Sequence, residues 1–496
     1  MRRRCLTLCL LLALAACKED DDATPDGGST SDGGGTSDGG GTSDGGGTSD
    51  GGSTSDGGGT SDGGGIPDGG GIPDGGGIPD GGGIPDGGST SDGGTHQEPP
   101  FTRLTLDGTA NELQPLALAV GPGDVLGVAY FSRVTPTSAD YEIRYIQVDN
   151  GQVSATEKVA TVQRVYGLSL AFDSNGRPAV AYLGGGSDQS VFWLQSDTAV
   201  AFRTGSNQWT ESVAVRLSNE ALSGNPVSDS GFLVGLNPSL VFQGTQAIVA
   251  YRDGHNGQFP QQDWAGSDLE AVTGAPGSWS PRIVAAGGNN RQAYGGHISM
   301  VMADGQPALV HDQMFGGADG SGANVLFQRR NADGSWTQPL QVQSVSNTQR
   351  GASLAWDPMR GFGIAVLERS VNRLTFTECT GTTATECTVA ADWTTPDPVY
   401  ESGTGGWYPS LAIDPRTHEP SIAFYICSYT AGANENSCKP SDDELRVTTR
   451  SQSIWREVLV DSEGGWMPKM AYLSTGRRVI AYRLPANGSL MLALER

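Results

Sequence analysis

The residues whose types could do acid–base or metal chemistry are Asp253 and His255, and, further along the chain, His297 and His311-Asp312. Imidazole nitrogens beside carboxylates can relay protons or hold a divalent metal. If Asp304-Gly305 is a tight turn, His297 falls opposite Asp312, and the set gathers at one mouth of the fold. The plainer reading is a hydrogen-bonded cross-strand pair, which the pattern favours. Aromatic residues form a second group: Tyr166, Trp264, Tyr294, Trp407, Tyr408 and Trp466. At a rim they would stack on sugar rings; because several recur at equivalent positions, packing between repeats is the preferred role. Arg133, Arg252, Arg369 and Arg483 form a third group, able to clamp a carboxylate if they converge. The chain has no Gly-x-Ser-x-Gly, His-Glu-x-x-His or phosphate-binding loop, and neither a metal nor a cofactor is expected.

A repeat must position these groups. Its clearest copy is Tyr408-Pro409-Ser410-Leu411-Ala412-Ile413-Asp414, a short turn, then Pro420-Ser421-Ile422-Ala423-Phe424-Tyr425. Seven copies begin near Pro115, Leu168, Pro238, Ile298, Ala352, Pro409 and Pro468. Each pairs a short apolar strand, an Asp/Gly turn and a second strand such as Ala179-Val180-Ala181-Tyr182. A third alternating strand follows, and a fourth is often introduced by a tryptophan: Trp209, Trp279, Trp336, Trp393 or Trp455. Four strands per unit at this period predict an all-β, seven-bladed propeller; a β-sandwich would need no such period. Bulky and small side chains alternate between the two faces of each first strand, so one blade's large face can seat on its neighbour's small one. The last copy lacks a fourth strand. Phe101-Thr102-Arg103-Leu104-Thr105-Leu106 is the candidate to supply it, closing the ring and covering both sheet edges.

Asp333-Gly334-Ser335-Trp336, echoed by Gly277-Ser278-Trp279, resembles a shortened Asp-box, the repeat of sialidase-like propellers. That resemblance implies the propeller fold. It implies no activity here, because the sialidase Arg-Ile-Pro motif is missing and the sequence does not single out a Tyr–Glu nucleophile pair. Repeat three departs furthest from the pattern, with long segments from Arg216 to Leu236 and from Asp253 to Trp264. Long insertions on a rigid scaffold are where function concentrates.

The N-terminus reads as a processing signal over residues 1–16: a basic Arg2-Arg3-Arg4 and an apolar stretch too short to span a bilayer. Leu14-Ala15-Ala16-Cys17 resembles the lipobox of bacterial lipoproteins, which implies acylation of Cys17. Lys18, rather than Asp, follows the cysteine, and in that family this implies the outer membrane of a Gram-negative cell, with surface exposure open. Residues 17–100 form a Gly/Ser/Asp-rich tether in which Asp recurs every sixth residue from Asp26 to Asp92. With almost no apolar side chains it stays disordered and spans roughly 50 Å. The propeller domain then occupies residues 101–496. Cys379, Cys387, Cys427 and Cys438 remain in the exported domain. Three pairings are possible, and Cys379–Cys387 with Cys427–Cys438, each closing a short local loop, is the expected one.

A net charge of −24 argues against nucleic acid as a partner. The function expected is therefore a monomeric, lipid-anchored recognition module for protein or glycan ligands. A sialidase-like glycoside hydrolase or other carbohydrate-active enzyme is the alternative, and a structural scaffold of an envelope complex a further one.

Overall fold

The structure, a computed structural model, describes residues 100–109, 112–163, 165–184, 197–215, 234–254, 267–288, 292–314, 322–345, 351–368, 371–381, 386–402, 405–428, 438–439 and 442–496. Cys17, the signal segment and nearly all of the tether lie outside them. Every described residue belongs to one compact unit, Gly93–Arg496.

Seven antiparallel sheets make up a seven-bladed β-propeller. Their inner strands are Leu116–Val120, Leu168–Phe172, Val234–Gln243, Ala293–Ala303, Ala352–Asp357, Gly405–Ile413 and Trp466–Tyr472, in blades one to seven. The ring closes as the sequence predicts. Phe101–Asp107 pairs with Leu490–Glu495 and becomes the outer strand of blade seven, with Phe101 opposite Glu495 and Thr105 opposite Met491. The edge of Leu490–Glu495 is thereby paired.

Each second strand is almost wholly buried because both of its faces meet neighbouring blades. Leu126–Arg133, Gln246–Asp253 and Pro420–Ile426 carry near-continuous apolar runs for this reason. The core is accordingly a series of inter-blade clusters. One joins Val310 and Phe327 of blade four to Phe362 and Ile364 of blade five. Small residues recur where bulky ones arrive from next door, as Ala179 and Ala181 do against Leu240 and Tyr251.

Polar bridges repeat with the same period. Ser169, Ser239, Ser299, Ser353 and Ser410 sit at one register of successive inner strands. Each hydroxyl oxygen accepts the backbone N–H of the next blade, from Leu240, Met300, Leu354, Leu411 and Met470, at 2.9–3.1 Å. Tryptophans do the same work near the outer strands. The indole of Trp209 donates to Glu157, Trp279 to Ser212 and Trp455 to Asp397, each on the preceding blade. Trp336 and Trp393 are also buried but precede their outer strands, Leu340–Ser344 and Asp397–Tyr400, instead of opening them. In the Asp-box-like turn, Asp333 accepts from the N–H and hydroxyl of Ser335 at 2.9 and 2.6 Å, and Trp336 is buried.

Both expected cysteine pairs are present, Cys379–Cys387 and Cys427–Cys438, with Cα separations of 5.9 and 4.8 Å. Such bonds are compatible with an extracytoplasmic protein. Cys379 and Cys387 are buried in the cluster between blades four and five. For a loop of this length the cross-link contributes about 2–3 kcal/mol. Cys379→Ala/Cys387→Ala is thus expected to lower the denaturation midpoint; an unaltered midpoint in chemical denaturation would contradict that role.

Candidate functional site

The inner strands enclose a central cavity of about 740 Å³, lined by residues from all seven blades. Its wall carries a repeated bulge just before the serine register of four inner strands, those of blades three, four, six and seven. At Leu236/Ser239, Gly296/Ser299, Trp407/Ser410 and Trp466/Lys469 the pairing slips. The slip is made by a residue in the left-handed region: Asn237, His297, Tyr408 and Met467, with φ of 49°, 44°, 53° and 50°. Elsewhere the same place is taken by Gly167 and Gly351. Non-glycine residues adopt this conformation at a cost of order 1 kcal/mol or more. The bulge recurs in the repeat, and in blades three, four, six and seven it mounts a different side chain, Asn237, His297, Tyr408 or Met467.

His297 and Asp312 do meet, as the turn at Asp304-Gly305 implies. The imidazole Nδ1 donates to the Asp312 carboxylate at 3.0 Å, with the histidine partly exposed and the aspartate buried. Gly351 lies directly under the ring. A Cβ there would come within 2.3 Å of the His297 Cβ, and its φ of +91° also calls for glycine.

His311 does not join them. Neighbours along a strand face opposite sides, and His311 is fully buried within the blade. Its Nδ1 accepts the Gly295 N–H at 3.3 Å and its Nε2 lies 3.2 Å from Gln328 Oε1. The Asp312 carbonyl lies 3.3 Å from the same Nδ1, so the ring is surrounded by contacts within its own blade. Burial pushes its pKa down to about 4.

Asp253 is buried in blade three, 3.7 Å from the Arg282 guanidinium. Arg282 also pairs with Glu270, whose other oxygen accepts from Tyr251 at 2.7 Å. Burial pushes the Glu270 carboxyl up, against the pull of Tyr251 and Arg282. His255, Trp264 and Arg369 lie outside the described residues.

Trp407 and Tyr408 are buried and Trp466 is partly so; together with Tyr425 they form an aromatic wedge between blades six and seven, with centroids of Tyr408 and Trp466 5.0 Å apart. Tyr408 and Trp466 also reach the cavity wall, whereas Trp407 does not line it. The arginines serve separate contacts. Arg133 pairs with Glu112, Arg252 donates to Ser267 Oγ at 2.7 Å, and Arg483 donates to the Phe131 and Gly488 carbonyls at 2.7 and 3.0 Å. Burial pushes Arg483 down to about 10, so it remains charged at neutral pH.

Tyrosine–carboxylate pairs, which the sequence did not expose, recur around the ring. Tyr130 donates to Asp107, Tyr182 to Glu211, Tyr251 to Glu270, Tyr425 to Asp443 and Tyr482 to Asp461. Four of them, Tyr130, Tyr182, Tyr251 and Tyr482, occupy one register of the second strand, one residue beyond the partner of the inner-strand serine position, whereas Tyr425 stands one residue further and Phe424 holds the register in blade six. His311 and Val366 hold that register in blades four and five. A tyrosine beside an acid is therefore a packing device of this repeat.

Lys469 is the other residue that sequence reasoning passed over. It stands in blade seven at the register of the five serines, opposite Ala481. Its side chain lines the cavity and is reached by solvent there. Surrounding protein nevertheless strips it of part of its hydration, and this desolvation lowers its pKa. Aligning the seven inner strands would have revealed the single charged residue at that register.

No protein-family profile matches the chain, and no curated protein matches it in sequence. Solved structures do resemble its fold. The GH93 α-L-arabinofuranosidase of Fusarium graminearum is 12% identical, with 80% of this chain and 97% of that one covered and a TM-score of 0.40. A PL25 polysaccharide lyase, an ulvan lyase, is 12% identical over 79% and 94%, with a TM-score of 0.49. NanB sialidase from Streptococcus pneumoniae is 11% identical over 82% and 72%, with a TM-score of 0.38. The distant likeness to sialidase and glycosidase propellers thus extends to architecture and no further.

Proposed function

We propose that this propeller is a recognition module, held at the outer membrane through lipid on Cys17 and taking a glycan or a polar segment of a protein partner at the mouth of its central cavity. The observation that carries this reading is how the polar groups divide. The buried candidates for acid–base work, His311, Asp253 and Glu270, are held in contacts internal to their blades. The cavity instead offers the serine hydroxyls, His297, Tyr408 and Trp466 on a closed, rigid ring. Hydroxyl and aromatic groups of this kind suit hydrogen bonding and stacking on a sugar. Apolar side chains exposed among the described residues, such as Val134, Met359 and Ile454, are scattered over different blades, which favours a polar ligand over a broad hydrophobic protein interface. The tether then serves as a spacer of roughly 50 Å between membrane and ring.

The full-length protein in detergent, presented with a panel of fluorogenic glycosides and with acidic polysaccharides monitored for unsaturated product, is expected to give no turnover. Turnover of any of them would replace the recognition reading with the enzymatic one.

A further inference from the structure

The cavity wall has a one-sided charge. Lys469 and Arg252 line it, and among the described residues lining it there is no aspartate or glutamate, although the chain as a whole carries −24. Arg252 is bonded to Ser267 and His297 to Asp312. Lys469 stands differently, because it replaces the serine that five other blades use to bridge to the next blade. The residues at the same register on either side of it around the ring are Ser410 and Ala117, both small. They leave room for its long side chain within the cavity. An ammonium group confined by protein loses hydration that a counter-charge restores.

The serines supply the rest of an anion site. Each Oγ already accepts a backbone N–H, so its own O–H is left to donate. O–H donors grouped around one ammonium favour an oxyanion. Lys469 is the cation reached by solvent in the cavity, whereas Arg252 is buried, and one exposed ammonium balances one negative charge.

We infer that the central cavity is a binding site for a singly charged carboxylate ligand, held by the Lys469 ammonium and the inner-strand serine hydroxyls. This deepens the recognition reading by naming the chemical group recognised, and it can fail while neutral-glycan recognition stands. The carboxylate can belong to a free small molecule or to the end of an acidic glycan.

The test uses the full-length protein labelled at its methionine methyl groups, because Met300 and Met467 line the cavity beside the site. Galacturonate and galactose, which differ by one carboxylate, are titrated in turn, followed by an oligogalacturonide. The expected result is that galacturonate shifts these methyl resonances saturably and galactose does not. Lys469→Ser, which installs the repeat's own residue, is expected to weaken galacturonate binding on the order of tenfold, the scale of one charge-assisted hydrogen bond. Lys469→Arg is expected to retain it. Tighter binding of the oligogalacturonide than of the monomer assigns the carboxylate to a glycan end, and equal binding assigns it to a small molecule; either supports the site. Galacturonate and galactose binding alike, galacturonate binding unchanged in Lys469→Ser, or no galacturonate shift in the wild type would each overturn it.

Discussion

A chain beginning at Gly108 is expected to lose cooperative folding. Its blade seven would end in Leu490–Glu495 with one whole edge unpaired, where the intact protein has Phe101–Asp107 hydrogen-bonded along it. Phe101 is buried against blades six and seven, and Leu104 and Leu106 pack into the cluster shared by blades seven and one. Burial of the phenylalanine alone contributes about 2–3 kcal/mol. The strand also ties blades together through side chains. Arg103 pairs with Asp461 of blade six, and Asp107 accepts from Tyr130 of blade one at 2.5 Å. The sum is comparable to the ~5–15 kcal/mol net stability of an ordinary domain, and the exposed edge invites aggregation. Calorimetry of the shortened chain should show a lost or strongly lowered transition, and adding a peptide of residues 100–107 should restore part of it. An unchanged midpoint would mean the ring does not depend on this closure.

His311 is expected to make the fold sensitive to mild acid. Its folded pKa of about 4 lies below the ordinary histidine value of 6.5. As pH falls through 6.5 the unfolded chain takes the proton while the folded chain resists it, so stability present above about 6.5 is lost progressively until about pH 4. The full effect is roughly 3 kcal/mol. Asp443 works the other way over much of the same range. Burial raises its carboxyl to about 6, against the pull of the Tyr425 hydrogen bond, so the folded chain holds that proton more tightly and loses stability as pH rises from about 4 to 6. The two slopes oppose, and the wild-type curve alone will look flatter than either. His311→Gln removes only the first. The gap in midpoint between wild type and variant should therefore move against the wild type on acidification from pH 6.5 to 4. Parallel curves would show that His311 does not titrate in this way.

The ring was legible because packing repeats it. Pro409-Ser410-Leu411 and Pro238-Ser239-Leu240 are copies made necessary by the same neighbour contacts, so seven blades and the closing strand could be counted without coordinates. The short-range cysteine pairs were legible for a similar reason, being local in the chain. Pairing across blades was not. The partner of Tyr482 is Asp461 in another blade, and that of Tyr130 is Asp107 at the ring's seam, distances that no local pattern reports. His311 and Asp312 were read as one group because they are adjacent, yet adjacent strand residues face apart, and only Asp312 meets His297. Lys469 was hidden by its ordinariness as a lysine. Its meaning comes from the register, where every other blade presents serine, or in blade one alanine.

Ligand recognition is proposed to take place at the cavity mouth. The direct measurement is binding of the full-length protein to an array of neutral and acidic glycans, beside His297→Ala and Trp466→Leu variants whose thermal transitions match the wild type. The wild type is expected to retain a defined set of glycans and both variants to lose it. Retention unaffected by either substitution, or no glycan retained by the wild type, would contradict it.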